Sequence, residues 1–374
     1  MTCSFSGAEG LLPLDRLLAE EGMFQIPAAQ AAELRRQYIG AALAWHLDGA
    51  PAYARYAQAL GFELKAVHEA GGLDRVPLLP AVLFKRPEVE TRHPHAGEVL
   101  WTTSSGTKGG LSRVPRNDLT LRRFFSSIAM QTKVVLDVEH ADAHLMVLGP
   151  TAAEARDLWI AYVMAGLAVF LPLTRHYVRG ETLKIDEAIA DLQLLAGKHV
   201  GLIGPPPFIL ELARTLAARH IGLHLRPTSQ VITIGGWKKR SGEAVPRTEF
   251  DQTVSEALGV RIEQVRDIFN MVELNTVIME CTAKRLHIPP WLYVRARHYG
   301  DLHVLPSGET GILSFLDPTA VSYPGFLLAD DLGCVVEDCA CPCGRRSDIL
   351  KIERRLNTVE SRGCALKLES TLLG

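Results

Sequence analysis

The stretch Thr103-Ser104-Ser105-Gly106-Thr107-Lys108-Gly109-Gly110 packs four hydroxyls, three glycines and one lysine into eight residues. Backbone N–H groups and hydroxyls in such a turn can converge on anionic oxygens. The glycines let the chain approach closely, and Lys108 adds a cation, so the chemistry it offers is phosphate binding. A solvated hairpin turn is the competing reading. The spaced glycine and the terminal Gly-Lys-Ser/Thr of a Walker A loop are missing, which excludes that motif. Gly235-Gly236-Trp237-Lys238-Lys239 offers an aromatic face for a flat base, or else is a strand-end turn with exposed lysines. Phe269-Asn270-Met271-Val272-Glu273 ends on a carboxylate suited to a magnesium ion bridged to phosphates, although a lone glutamate is more often a surface group. Ala329-Asp330-Asp331-Leu332-Gly333 gives acceptors for ribose hydroxyls, or a plain acidic turn. Gly344 to Lys351 reads as a basic turn entering a polar helix. Of seven cysteines, four crowd between Cys334 and Cys343, and an odd number in a long chain argues against a disulfide framework.

The elements that must position these turns alternate. Leu11 to about Ala70 has apolar residues at helical spacing (Ala32, Leu34, Tyr38, Ala42, Trp45) and reads as a helical layer. Val76 to Lys85, with Pro77 and Pro80, is an extended connector. Val99 to Trp101 reads as a strand and Leu119 to Leu136 as a helix. Ala143 to Leu148 is a strand closed by Gly149-Pro150, and Ala152 to Phe170 and Ile185 to Ala196 are helices. The strand Val200 to Ile203 ends at Gly204, Phe208 to Ala218 is helical, and the strand Val231 to Ile234 ends at Gly235-Gly236. Such alternation predicts an α/β fold with mainly parallel sheets flanked by helices, whose ligands gather at the carboxyl ends of the strands. After about Arg261 shorter strand-like runs (Trp291 to Arg297, Leu302 to Leu305, Gly311 to Leu316) predict a smaller β-rich subdomain. The expected division is 1–345 as one large domain (1–100 helical layer, 101–260 α/β core, 261–345 β-rich part) and 346–374 as a truncated C-terminal segment.

Bulk properties narrow the function classes. A net charge of −2 gives no general field for nucleic acid or an anionic membrane. No apolar run reaches membrane-spanning length, and Met1 to Gly10 lack the pattern of a signal peptide, so a cytoplasmic location is expected.

In their order along the chain, these motifs resemble the adenylate-forming (AMP-binding) superfamily, most closely its acyl-protein synthetase and phenylacetate–CoA ligase-like branch. Val76 to Lys85 is similar to the Pro-x-Leu-Pro segment ending in Phe-Lys that precedes the phosphate loop. Thr103 to Gly110 resembles that loop, Gly235-Gly236-Trp237-Lys238 the adenine loop, and Phe269 to Glu273 the glutamate motif. Asp331 resembles the ribose-binding aspartate and Gly344-Arg345 to Lys351 the hinge. Asn270 and Val272 depart from the glycine and threonine of the glutamate motif, Lys108 from a second threonine of the loop, and Ser347 from a hinge aspartate. The short stretch after the hinge has no room for the large C-terminal domain with its catalytic lysine, as in acyl-protein synthetases and short relatives that activate aromatic acids in phenazine-type antibiotic pathways.

The resemblance implies ATP-dependent conversion of a carboxylic acid to an acyl- or aryl-adenylate with release of pyrophosphate. Thr103, Ser104, Ser105, Gly106, Thr107 and Lys108 would hold phosphates, and Glu273 would hold Mg²⁺. Gly235, Gly236 and Trp237 would take the adenine, Asp331 the ribose, and Arg345 the nucleotide in a closed state. It also implies a structural Zn²⁺ on Cys281, His287, Cys341 and Cys343, with Cys334 and Cys339 as spare ligands. Cys364 would be a thioester nucleophile between Arg362 and Lys367. The acyl group would pass to Cys364, to a partner acyl reductase or to a carrier protein, and members of the branch often form homodimers. Residues near Trp159, Gly201 to Phe208 and His298 are candidates for lining the acid pocket. Two other classes stay open: a non-catalytic nucleotide-binding relative, and a CoA ligase using a lysine such as Lys367.

Overall fold

A computed structural model describes residues 12–105, 110–136, 143–168, 171 and 173–355. In chain order the strands are β1 (Leu79–Pro80), β2 (Leu100–Thr103), β3 (Arg113–Arg116), β4 (His144–Val147), β5 (Leu173–His176), β6 (Val178–Arg179), β7 (Thr182–Leu183) and β8 (Val200–Gly204). They continue as β9 (Gln230–Ile234), β10 (Val265–Phe269), β11 (Ile278–Glu280), β12 (Leu286–His287), β13 (Tyr293–Arg297), β14 (Gly311–Leu316), β15 (Phe326–Ala340) and β16 (Arg346–Arg355). One sheet takes the order β13-β14-β15-β16-β12-β11-β10-β9-β8-β4-β5, with β1 parallel to β15. From β10 to β5 neighbours are parallel, and from β10 to β13 they are antiparallel. The change of sequence texture after Arg261 is therefore a change of pairing mode within one sheet.

The parallel strands are buried on both faces, as strands between two helical layers must be. Leu145 and Val147 enter one apolar cluster while Met146 and Leu148 enter the other, because successive strand side chains point to opposite faces. The second cluster is covered by helices Ile185–Leu194, Pro206–Ala218 and Arg247–Leu258, through Leu192, Leu212, Leu216 and Val254. The first takes Phe124 and Ile128 of helix Asp118–Val134 and Trp159 of helix Trp159–Leu167. It runs on under the N-terminal helices Ala28–Gly49 and Pro51–Ala59 through Tyr38, Ile39, Leu43 and Tyr53. Asn117 starts helix Asp118–Val134 by accepting the Thr120 N–H at 2.9 Å.

Four expectations need correction. The run Leu302 to Leu305 forms no strand, only a single bridge from Val304 to Arg297. The helix read over Ala152 to Phe170 is broken at Arg156, whose φ is 53°, into Ala152–Ala155 and Trp159–Leu167; residues 169–170 lie outside the described residues. The break frees the Asp157 carbonyl to accept the Thr103 N–H at 2.7 Å, a bond that a continuous helix would forbid. The connector Val76 to Lys85 is extended only as far as Pro80, after which Ala81–Lys85 forms a short 3₁₀ turn. The basic turn at 344–345 enters strand β16 and not a helix. Ile349 and Leu350 are buried there, and ladders to β12 and β15 on its two sides override the local polarity.

Candidate active site

The hydroxyl-rich turn is the connection of the β2–β3 hairpin. Its neck is closed by Ser104 N–H to the Ser112 carbonyl and by Ser112 N–H to Ser104 Oγ, both at 3.1 Å. Thr103, Ser104 and Ser105 stand at this neck, while Gly106, Thr107, Lys108 and Gly109 lie outside the described residues. Thr103 is pinned to the Asp157 carbonyl, which fixes the hairpin above the carboxyl ends of the parallel strands.

Glu273 sits in the turn that follows β10 and is 4% exposed. Burial pushes its carboxyl above the usual range, against the pull of the Ser112 hydroxyl bond and of the charges on Arg355 and Lys85. The turn is braced from inside. Asn270 Nδ2 donates to the Leu274 and Thr276 carbonyls at 3.0 Å each, and its Oδ1 accepts from Trp159 Nε1 at 2.7 Å. At the departure from the family's glycine, then, Asn270 supplies three bonds that a glycine side chain cannot make. Tyr323 donates its hydroxyl to the Glu273 carbonyl at 3.0 Å.

Arg116, fully buried on β3, ties this turn to the hairpin. Its guanidinium reaches Asn275 Oδ1 at 3.1 Å, the Val272 carbonyl at 2.5 Å and the Thr102 hydroxyl. It lies 3.4 Å from the centre of the Trp159 ring, a cation–π contact in a dry setting.

Asp331 and Asp330 come in on β15. Lys85 Nζ and Arg355 each stand 3.8 Å from Asp330, and burial raises the Asp331 carboxyl. Asp331 pairs across the ladder with Arg355. Just beyond, the register slips at Gly333, where a Cβ would meet the Lys351 carbonyl oxygen at 2.1 Å. Only glycine permits that approach, and the bulge sets where the Arg354 and Arg355 side chains emerge. Ser112, Glu273, Lys85, Asp330 and Arg355 thus form one charged cluster at the neck of the hairpin.

Gly235 and Gly236 follow β9, and the Ile234–Ile268 pairing puts them at the same sheet edge as Asn270. Nothing lies within 4 Å of a Cβ built on Gly236. Trp237 turns back to pack edge-on against Phe250 at 6.3 Å, in the cluster under helix Arg247–Leu258.

Arg345 is not in the cleft. Ala340 pairs with Arg346 at one end of the β15–β16 ladder and Asp331 with Arg355 at the other. Nine residues of strand make that separation roughly 30 Å. Arg345 instead donates to the Val134 carbonyl beside the cysteine cluster. Of the five turns expected to converge, those at 103–105, 235–236, 273 and 331 share the edge and 345 does not. Arg355 is the arginine that stands by the carboxylates.

Cys281, His287, Cys341 and Cys343 place their donor atoms within 4.8 Å of one another. Cys281 Sγ and Cys341 Sγ are 3.7 Å apart, and Cys343 Sγ is 3.3 Å from His287 Nε2. A tetrahedral Zn²⁺ with its usual bond lengths sets two sulfurs about 3.8 Å apart and sulfur to nitrogen about 3.5 Å, so the four donors fit. His287 Nδ1 is held by Ser347 Oγ at 2.7 Å, leaving Nε2 for the cluster. Burial lowers the imidazole to about 4, so it is neutral and able to ligate at ordinary pH. Cys339 contacts Arg285 and not the cluster, and Cys334 is buried in β15.

Cys364, Arg362 and Lys367 lie outside the described residues. Among the pocket candidates, Trp159 is committed to the core, Gly201–Gly204 are inside β8, and His298 stands in an exposed turn after β13. Lys85, Ser112, Arg116, Tyr323 and Arg355 were not singled out from the sequence. For Arg355 the available signal was its place nine residues beyond Arg346 in a strand-length run; for Arg116, flanked by Arg113, Asn117 and Asp118, the sequence carries no signal of burial.

Comparison with known proteins gives the family and the fold. The family described as acyl-protein synthetase, LuxE, matches residues 8–373. The long-chain-fatty-acid–luciferin-component ligase of Aliivibrio fischeri is 32% identical over 303 residues, covering 80% of this chain and 79% of the relative. The ligase of the same name from Vibrio harveyi is 32% identical over 339 residues, covering 90% and 87%. Among solved structures, 2-hydroxyisobutyryl-CoA ligase in complex with its acyl-adenylate and CoA superposes with a TM-score of 0.67. At 16% identity, with 89% of this chain and 70% of that one covered, the likeness establishes the adenylate-forming ligase fold.

Proposed function

The chain belongs to the LuxE acyl-protein synthetase family, and from that premise we propose that it activates a long-chain fatty acid with ATP and passes the acyl group to a protein thiol. The supporting observation is the cluster of Ser112, Glu273, Lys85, Asp330 and Arg355 at the neck of the hydroxyl-rich hairpin. A buried carboxylate among cations is what a magnesium–polyphosphate ligand needs on its protein side.

In this reading the substrate carboxylate oxygen attacks the α-phosphorus. The bond to the β-phosphate oxygen breaks, and pyrophosphate leaves with the electron pair. Thr103, Ser104 and Ser105, with Thr107 and Lys108 of the turn, hold the β and γ phosphates. Glu273 would hold Mg²⁺, which supplies charge neutralisation on the phosphates. Asp331 receives the ribose hydroxyls, Gly235 and Gly236 leave room for the adenine beside Trp237, and Arg355 replaces Arg345 as the cation by the nucleotide. Positioning and charge neutralisation are the protein's main contribution. The Cys364 thiolate then attacks the acyl carbonyl and AMP leaves, giving a thioester for a partner acyl reductase. Cys281, His287, Cys341 and Cys343 would hold a structural Zn²⁺, which would fasten the turn between β15 and β16.

Exchange of labelled pyrophosphate into ATP, run with saturated long-chain acids beside fused aromatic acids, tests the substrate class. Exchange with the fatty acids is expected. Exchange with aromatic acids alone would overturn the substrate, and ATP binding without exchange would favour a non-catalytic relative. Labelled fatty acid and ATP should mark the protein in a form that Cys364→Ser abolishes; undiminished labelling in the variant rejects that thiol.

A further inference from the structure

His298, Asp301 and His303 lie in the connection from β13 to β14 and share no residue with the cleft or the cysteine cluster. Nothing in the acyl-transfer reading uses them. His298 Nδ1 and His303 Nδ1 face the same oxygen, Asp301 Oδ1, at 2.8 and 2.7 Å. One ligand atom from each residue lies within 4.8 Å of the other two.

The backbone builds this arrangement. The His298 N–H donates to the His303 carbonyl at 2.9 Å and the Leu302 N–H to the His298 carbonyl at 3.0 Å, while Arg297 bridges to Val304. His298 and His303 are thereby opposed across a tight loop, and their rings stack at 4.9 Å with 24° between planes. Holding them so requires Leu302 in the left-handed region, φ 61°, which is unfavourable for a side chain of that kind. Strain of this sort points to something that the loop holds in place.

The Gly300 N–H also approaches His298 Nδ1, at 3.3 Å. An imidazole nitrogen this close to a carboxylate oxygen shares a positive centre with it, a proton or a metal ion.

We propose that His298, Asp301 and His303 form a second metal site, for a divalent transition ion such as Ni²⁺, Zn²⁺ or Co²⁺. Two nitrogens and one oxygen suit these ions; Mg²⁺ and Ca²⁺ take oxygen donors. Three protein donors on an exposed loop leave further positions to water, so the ion exchanges readily, unlike one enclosed by three thiolates. The donors are already ordered by the loop, which lowers the entropy lost on binding.

The test is calorimetric titration of Ni²⁺ into the full chain, without a polyhistidine tag and with its zinc content measured beforehand. Binding of about one Ni²⁺ per chain is expected, weakened by at least tenfold in His298→Ala/His303→Ala and by a smaller factor in Asp301→Asn. Cys281→Ser should leave the nickel site in place. Equal nickel affinity and stoichiometry in the double variant, or no binding at up to about 1 mM Ni²⁺, overturns the proposal and leaves a shared proton as the positive centre. Because the readout is metal binding, failure here leaves the acyl-transfer reading untouched.

Discussion

The two ends of the β15–β16 hairpin are built on different principles. At the turn end, Cys341 and Cys343 meet Cys281 and His287, and each pair comes from one short stretch of chain. At the open end, Asp330, Asp331 and Arg355 meet Lys85, Ser112 and Glu273, which arrive from separate segments through sheet pairing and the β2–β3 hairpin. The turn end offers soft donors in a closed tetrahedral set, suited to fastening. The open end holds buried carboxylates raised above their usual range, an arrangement that costs stability and favours an incoming cation–phosphate ligand. On the proposed function, fastening and chemistry would occupy opposite ends of one ladder, roughly 30 Å apart.

The largest effect that would break this contrast is at the turn end. Cys281→Ser should lose the zinc and lower the melting temperature by on the order of 10 °C, since metal binding energy is folding energy. Metal analysis and a thermal melt check it, and a zinc-free wild type of unchanged stability would dissolve the contrast. At the open end, Glu273→Gln should cut pyrophosphate exchange by about 100-fold, near 2.7 kcal/mol, with the melting temperature almost unmoved. The next effect concerns how the open end is propped. Trp45 and His46 hold the Val321 and Ala320 carbonyls, just before Tyr323 reaches Glu273. Burial lowers the His46 imidazole to about 3, below its unfolded value near 6.5. The folded state thus resists protonation, so its stability is intact above pH 6.5 and is lost as pH falls from there towards 3. By pH 5 the loss is about 2 kcal/mol, and His46→Gln should flatten that acid limb of a melting-temperature profile. The smallest effect sharpens the assignment of the arginines. Arg355→Ala should slow exchange about tenfold, whereas Arg345→Ala should change it by less than about twofold. The reverse ranking would return Arg345 to the nucleotide.

This contrast also explains what could be read from the sequence. Cys281 with His287 and Cys341 with Cys343 are local pairs whose spacing survives in the fold, so the cluster was legible. The parallel half was legible as well, because Val200 to Gly204 and Gln230 to Ile234 are apolar runs closed by glycine or proline. Glu273, Asp331 and the turn at Thr103 were singled out by motif order. Arg355 and Arg116 were not, since they join the cluster only through cross-strand register and burial, which one-dimensional spacing does not carry. In sequence Arg345 stands fourteen residues from Asp331, but the strand turns back and carries it to the other end of the ladder. Strand β16 was read as a helix because its exposed positions are polar, and its two ladder partners are distant in the chain.

Hydrogen exchange measured by mass spectrometry, with and without magnesium ATP and a long-chain fatty acid, tests the central claim most directly. Slower exchange is predicted in peptides spanning residues 99–116, 269–276 and 326–333, with peptides 281–288 and 340–347 unchanged. Protection confined to the cysteine end, or none at the hairpin and the Glu273 turn, would contradict a nucleotide site at the open end of the ladder.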